Sequence, residues 1–257
     1  PEDIEGYNLA AKVYLLQKKA DLAEIELEKA LAIDELNSYS LIYLATKSLN
    51  EKKPEKAIEL LEKLLDVEPN NITALSFSYF AHKAVNRKEI AINKIVKAYE
   101  SKQGNTDYKL LYAKVLFSEK DFEKVIDILK DIANSNTIPA QHWGLLADSY
   151  VNISQNEKAL DTTHSWITAQ PLNRNAYLKN ISMQENLLNY NDALSSVEKA
   201  LEAYHAADQF NILRAYFQIH IKNFSLAKNK IYKLSNENKL LTQEEDQQTQ
   251  IRITKRK

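Results

Sequence analysis

The side chains able to do chemistry are few and poorly spaced for it. Five histidines occur, His82, His142, His164, His205 and His220. No two of them form HExxH or another metal-binding spacing, and each reads as a structural or surface histidine. Cysteine is absent, which removes thiolate nucleophiles, thiolate metal sites and disulfides. There is no GxSxG elbow, no P-loop and no GxGxxG turn. The densest carboxylates, Glu244, Glu245 and Asp246, sit in a polar stretch where no apolar surroundings would raise a pKa. The chain is therefore expected not to be an enzyme and to need no cofactor and no metal.

Charge gives no stronger lead. The chain has 34 Lys and Arg against 35 Asp and Glu, a formal net charge of −1. No overall field would collect nucleic acid or an acidic substrate. The four basic residues between Arg252 and Lys257 read as a solvated end, because nucleic-acid binding needs a broader basic stripe. Only three glycines occur, Gly6, Gly104 and Gly144, so phosphate-cradling loops and tight hairpins must be rare. Ala, Leu, Lys, Glu and Asn dominate, as in helices joined by polar turns. No apolar run approaches the ~18 residues of a membrane span. Residue 1 is Pro and no signal peptide is evident, so a fragment of a longer or processed protein is expected.

What organises the chain is a period. The stretch Ala140–Asn173 carries Trp143, then Leu146 and Ala147, then Tyr150, Ala159 and Pro171. Stepping outward by its length gives starts at Ile4, Ser38, Ile72, Thr106, Ala140, Arg174 and Asp208, with no insertion or deletion. The eighth positions read Ala11, Ala45, Tyr79, Ala113, Ala147, Ile181 and Ala215. The twentieth read Ala23, Ala57, Ala91, Val125, Ala159, Ala193 and Ala227. Small residues thus recur at two fixed points of the repeat. Repeat 3 departs at Tyr79 and repeat 6 at Asn180 and Ile181. Trp166 stands where repeats 1, 3 and 6 have Ala, which marks the junction of repeats 5 and 6 for local repacking or a bend.

This pattern resembles the tetratricopeptide repeat (TPR), a helix–turn–helix unit of about 34 residues. The resemblance implies an all-α, right-handed superhelical solenoid of seven repeats over residues 1–241. A polar terminal helix or tail over 242–257 would follow, with Thr242 and Glu245 as a capping box. It also implies that the first helix of each repeat, helix A, lines a concave groove through its second, fifth, sixth, ninth and twelfth positions. The groove candidates are then Tyr39, Ile42, Tyr43 and Thr46 in repeat 2, Phe77 and Phe80 in repeat 3, and Leu110, Lys114 and Phe117 in repeat 4. Repeats 5 and 6 offer a polar continuation through Gln141, Asp148, Asn175, Ser182 and Glu185. Some of the aromatic side chains, Tyr43 and Phe77 above all, could instead pack between neighbouring helices.

The expected function is a non-enzymatic scaffold that binds a peptide or a partner's helix in the groove. The clamp that TPR domains use for chaperone carboxylates is missing: Asn8 and Lys12 stand in reverse order, and Tyr43 replaces the second Asn. The Asn ladder of sugar-transferase TPR superhelices is missing too. The Asn- and Lys-rich, Cys-free repeats are similar to bacterial envelope TPR lipoproteins of PEP-CTERM and exopolysaccharide systems. A periplasmic or envelope location follows from that likeness. The alternative is an assembly module of a larger secretion or polysaccharide-export protein or enzyme. Self-association is a third outcome; nucleic acid is not an expected partner.

Overall fold

A computed structural model describes residues 3–131, 138–204 and 208–221. Among them are thirteen helices and no strand. Helices A are α1 (Ile4–Leu16), α3 (Ser38–Asn50), α5 (Ile72–Ala84), α7 (Thr106–Ser118), α9 (Ala140–Asn152), α11 (Arg174–Asn186) and α13 (Asp208–His220). Helices B are α2 (Ala20–Ile33), α4 (Pro54–Val67), α6 (Lys88–Ser101), α8 (Phe122–Leu129), α10 (Asn156–Ala169) and α12 (Tyr190–Ala203). Every A helix begins on a repeat start read from the sequence. The second helix of repeat 7, with Phe224 and Ala227, and the tail from Thr242 to Lys257 lie outside the described residues.

Local chemistry sets these boundaries. The last residue of a repeat is Asn37, Asn71, Asn105 or Asn173, and each side chain accepts a backbone N–H from the first turn of the next helix A. That occupies one of the donors a helix start leaves unpaired. Pro139 takes the same place at the end of repeat 4 and makes no such bond. Pro54 opens α4, where a missing N–H removes no helical bond.

The turn from A to B is also uniform. Its second residue is left-handed in six repeats: Lys18, Lys52, Asn86, Lys120, Ser154 and Leu188, with φ between 58° and 64°. The following residue donates its N–H back across five residues, as in Lys53 to Ser48 at 2.8 Å and Asn189 to Gln184 at 2.9 Å. This is the Schellman way of ending a helix, and glycine is its usual occupant.

The chain divides into two compact units, Pro1–Asp121 and Phe122–Lys257. In the first, Leu41, Leu61, Leu64, Leu75, Tyr79 and Ile95 build the main core. In the second, Tyr177, Ile181, Val197, Phe210 and Phe217 build a core around α11, α12 and α13. In both, the described residues at the eighth and twentieth positions are at most 2% exposed.

The two departures from small residues are each accompanied by a polar clip. Tyr79 is buried. Its hydroxyl donates to Glu119 Oε1 at 2.5 Å, accepts from Lys83 Nζ at 2.9 Å, and lies 2.9 Å from Ser118 Oγ. Lys83 and Lys88 both donate to the Glu119 carboxylate. One carboxylate thus ties α5, the start of α6 and the end of α7 together. Lys88, Tyr79 and Lys83, in that order of effect, pull its pKa down to about 2. In repeat 6, fully buried Asn180 donates to Thr163 Oγ1 and accepts from Ser196 Oγ, both at 2.8 Å, bridging α10, α11 and α12. At the site marked by Trp166, the ring lies against Gly144: its Cη2 and Cζ3 are 4.0 Å from where a Cβ would stand. The indole N–H donates to Gln170 Oε1 at 3.0 Å. The large side chain is accommodated because the facing one is absent.

Three outcomes follow. Asn180→Ala removes both buried hydrogen bonds of its side chain and should lower stability by roughly 2–3 kcal/mol in urea titration; a loss under about 0.5 kcal/mol would show the bridge to be idle. Leu188→Gly relieves a left-handed, exposed leucine and should raise stability by about 0.5–1 kcal/mol. Glu119 has a folded pKa below its ordinary value, so its contribution is complete above pH ~4.5 and fades as pH falls toward 2. Glu119→Gln should therefore cost roughly 2 kcal/mol at pH 7 and much less near pH 2, read from denaturation midpoints; a pH-independent difference would refute the ionic role.

Candidate partner-binding groove

Within the first unit α3 packs on α5 and α5 on α7, so three A helices lie side by side. This row carries all nine groove candidates, in three settings. On α3, Tyr39 and Tyr43 are half-buried and pack against the cluster of Ala11, Ala23 and Leu27. Burial raises both hydroxyl pKa values. Lys12 Nζ sits 4.8 Å above the Tyr39 ring. Ile42 packs against the main core, and Thr46 donates its hydroxyl to the Ile42 carbonyl at 2.8 Å. These side chains are partly spent on joining repeats 1 and 2.

On α5 and α7 the surface opens. A hollow of about 350 Å³ lies between them, lined by Ile72, Thr73, Ser76 and Phe77 from one helix and Asp107, Leu110, Leu111 and Lys114 from the other. It brings together three of the nine candidates, Phe77, Leu110 and Lys114. Leu110 is more enclosed than a groove-facing residue need be, at 8% exposed, and forms part of the floor with half-buried Phe77. Phe80, one turn along α5 from Ser76 and Phe77, is 54% exposed and meets the Tyr79 ring edge-on at 5.4 Å. Half-buried Phe117 follows Lys114 on α7.

Asp107 belongs to this hollow and was not among the candidates. The second-position rule that selects Tyr39 selects Asp107 as well. The last described A helix also departs from the polar continuation expected in repeats 5 and 6. On α13, Ile212, Tyr216 and Ile219 occupy the fifth, ninth and twelfth positions and are 60%, 38% and 40% exposed.

Among the described residues no group of His, Asp and Glu is placed to hold a metal ion, and no helix is long and apolar enough to cross a membrane. His82 is buried and bonded to Ser78 within its own helix turn. His205 lies outside the described residues. What the α5–α7 face offers is a shallow apolar floor, an exposed aromatic ring and one charge of each sign.

Solved structures with the same architecture are TPR proteins. A tetratricopeptide repeat protein from Parabacteroides merdae superposes with a TM-score of 0.57 at 14% identity, covering 91% of this chain and 92% of that one. PilW, a type IV pilus biogenesis factor, gives 0.58 at 15% identity over 80% and 96%. Cut9 in the Cut9–Hcn1 hetero-tetramer of the APC/C gives 0.54 at 16% identity, over 84% of this chain and 43% of that one. At such identities the likeness establishes the fold alone. No curated protein matches the chain. A family model does, over residues 8–234, and with the TPR-like helix pairs described above it places the chain in the ChAPs family, the Chs5p-Arf1p-binding proteins.

Proposed function

We propose that this chain is a non-enzymatic protein-interaction scaffold that takes a partner's helix or peptide on the A-helix face of α3, α5 and α7. The observation that carries this reading is Phe80: a large aromatic ring, 54% exposed, beside an open hollow with an apolar floor. Aromatic side chains of this kind dominate the energy of protein interfaces. The family's name supports a binding role, since it is given for proteins that bind two others, Chs5p and Arf1p. The fold supports it physically. A TPR-like stack presents side chains on rigid helices, so little ordering is left to be done at the moment of binding.

The chain should therefore retain a protein from extracts of its source organism, and retention should depend on the A-helix face. Phe80→Ala should reduce it about tenfold or more, as expected for a central aromatic anchor. Adding Tyr39→Ala should reduce it further. Ile90→Ala, which removes an exposed aliphatic residue on helix α6, should leave it unchanged. Equal retention by all three variants, each checked for helicity, would place the partner elsewhere.

A further inference from the structure

The first hairpin is apolar on its surface where later repeats are not. In repeat 2 the sixth and tenth positions of helix A turn toward the preceding repeat: Tyr43 packs on Ala11, Ala23 and Leu27, and Lys47 pairs with Glu24. Further on, the tenth-position residues Ala81, Val115, Met183 and Phe217 are buried. In repeat 1 these two positions are Leu9 and Val13, and both are exposed, Leu9 by 63%. Place in the row does not account for the other apolar residues. The thirteenth position is exposed in every repeat and holds Asn50, Ser118, Asn152 and Asn186 in repeats 2, 4, 5 and 6. Repeat 1 has Leu16 there, 86% exposed. The twenty-second position is exposed in repeats 1 to 6 and holds Glu59, Asn93, Asp127, Asp161 and Ser195 in repeats 2 to 6. Repeat 1 has Ile25 there. Leu9, Val13 and Leu16 stand at i, i+4 and i+7, which puts them on one side of α1. An exposed apolar surface rimmed by charge marks a protein contact.

We infer that a second copy of this chain docks here, α1 pairing antiparallel with its counterpart across a twofold axis. The charges bordering the row favour a copy over a foreign partner. Glu5 lies one turn before Leu9 on the same side of α1, and Lys18 and Lys19 follow Leu16 in the turn to α2. All three are exposed, and none forms an ion pair or hydrogen bond through its side chain among the described residues. The apolar row is thus acidic at one end and basic at the other, so it complements itself when reversed. Leu9 and Leu16 are about 10.5 Å apart along the helix. With the axis passing beside Val13, Leu9 of each copy meets Leu16 of the other, and each Glu5 reaches the other copy's Lys18 and Lys19. A twofold contact makes every such pair twice. Lys12, the charge nearest the axis, is drawn aside: its Nζ sits 4.8 Å above the Tyr39 ring of repeat 2. The exposed Leu22 and Ile25 add apolar surface on α2 of the same hairpin. A formal net charge of −1 leaves two copies little mutual repulsion.

The test uses the whole chain in sedimentation equilibrium over a dilution series. It should show a monomer–dimer equilibrium that reaches the dimer by millimolar protein. Leu9→Glu and Leu16→Glu each set a charge against an apolar face and should weaken the dimer about tenfold or more. Both side chains are exposed, so the helicity of the dilute monomer should not change. Glu5→Lys alone, and Lys18→Glu with Lys19→Glu, should each weaken the dimer by like-charge contact. All three substitutions together should restore it, because both ends of the row are then reversed. The chain has no cysteine, so Val13→Cys gives a single thiol beside the axis. That variant should form a disulfide-linked dimer under mild oxidation, and Ile90→Cys on α6 should not. Phe80→Ala should leave the dimer intact, which separates this contact from the groove on α3, α5 and α7. A chain that is monomeric at every concentration overturns the inference and leaves the face to a partner of another kind. A dimer insensitive to Leu9→Glu and Leu16→Glu overturns it as well, as does a triple charge variant no tighter than the two it combines.

Discussion

The rest of the structure depends on one steric constraint: in the described helix pairs, A and B cross where a small side chain fits, alanine in most repeats and Val125 in repeat 4. Ala11, Ala23, Ala45, Ala57, Ala91, Ala113 and Ala193 are all fully buried at these crossings. Close crossing lets the larger neighbours, such as Leu27, Leu61 and Leu75, fill the space between hairpins at the density a protein interior requires. Tyr79 and Ile181 break the rule, and each break sits beside a hydrogen-bonded polar group drawn from two further helices. Tyr79 brings a hydroxyl that must be satisfied when buried, and Lys83, Ser118 and Glu119 meet it. Ile181 adjoins Asn180, whose amide is satisfied by Thr163 and Ser196. Where shape no longer fixes the spacing of the helices, directional bonds do.

The constraint was legible because it repeats. A small residue every 34 positions has no explanation in local propensity, and the helix starts fell on the same ruler. The turns were not legible. Lys18, Lys52 and Leu188 carry no sign of a left-handed backbone, which glycine or asparagine usually announces. Their conformation is imposed from outside the residue, by the backbone bonds that close each A helix and by the packing of the B helix that follows. The asparagines that end four repeats cap the next helix A, a task that the repeat period alone does not mark.

The candidate site was legible by position and not by environment. Counting along helix A selected Phe77, Leu110 and Lys114, which line one hollow, and Phe80, which stands exposed beside it. Counting could not separate them from Tyr39 and Tyr43, whose rings are half committed to the Ala11–Leu27 cluster. Burial depends on what the preceding repeat presents, and that is a property of two repeats at once. Asp107 was passed over for the opposite reason. An acidic residue in the first turn of a helix is explained by the helix dipole alone, so nothing in the sequence marked it as part of a surface.

The use of charge elsewhere in the chain clarifies what recognition can draw on. Lys47 meets Glu24 at 2.6 Å, Lys63 meets Glu35 at 2.9 Å, Lys94 meets Glu62, Lys179 meets Asp148, and Arg214 meets Glu198 at 3.2 Å. Each pair joins successive repeats within one compact unit. Pairs this exposed contribute at most about 1 kcal/mol apiece, so their effect is to fix register rather than to hold the fold. They also cancel charge locally, leaving little field to steer a partner from a distance. Association with such a surface would proceed at an unsteered rate, and affinity would be decided by how long the partner stays. On the reading proposed above, the weight would fall on short-range contacts at the α5–α7 face: a ring standing clear of the surface beside an apolar floor.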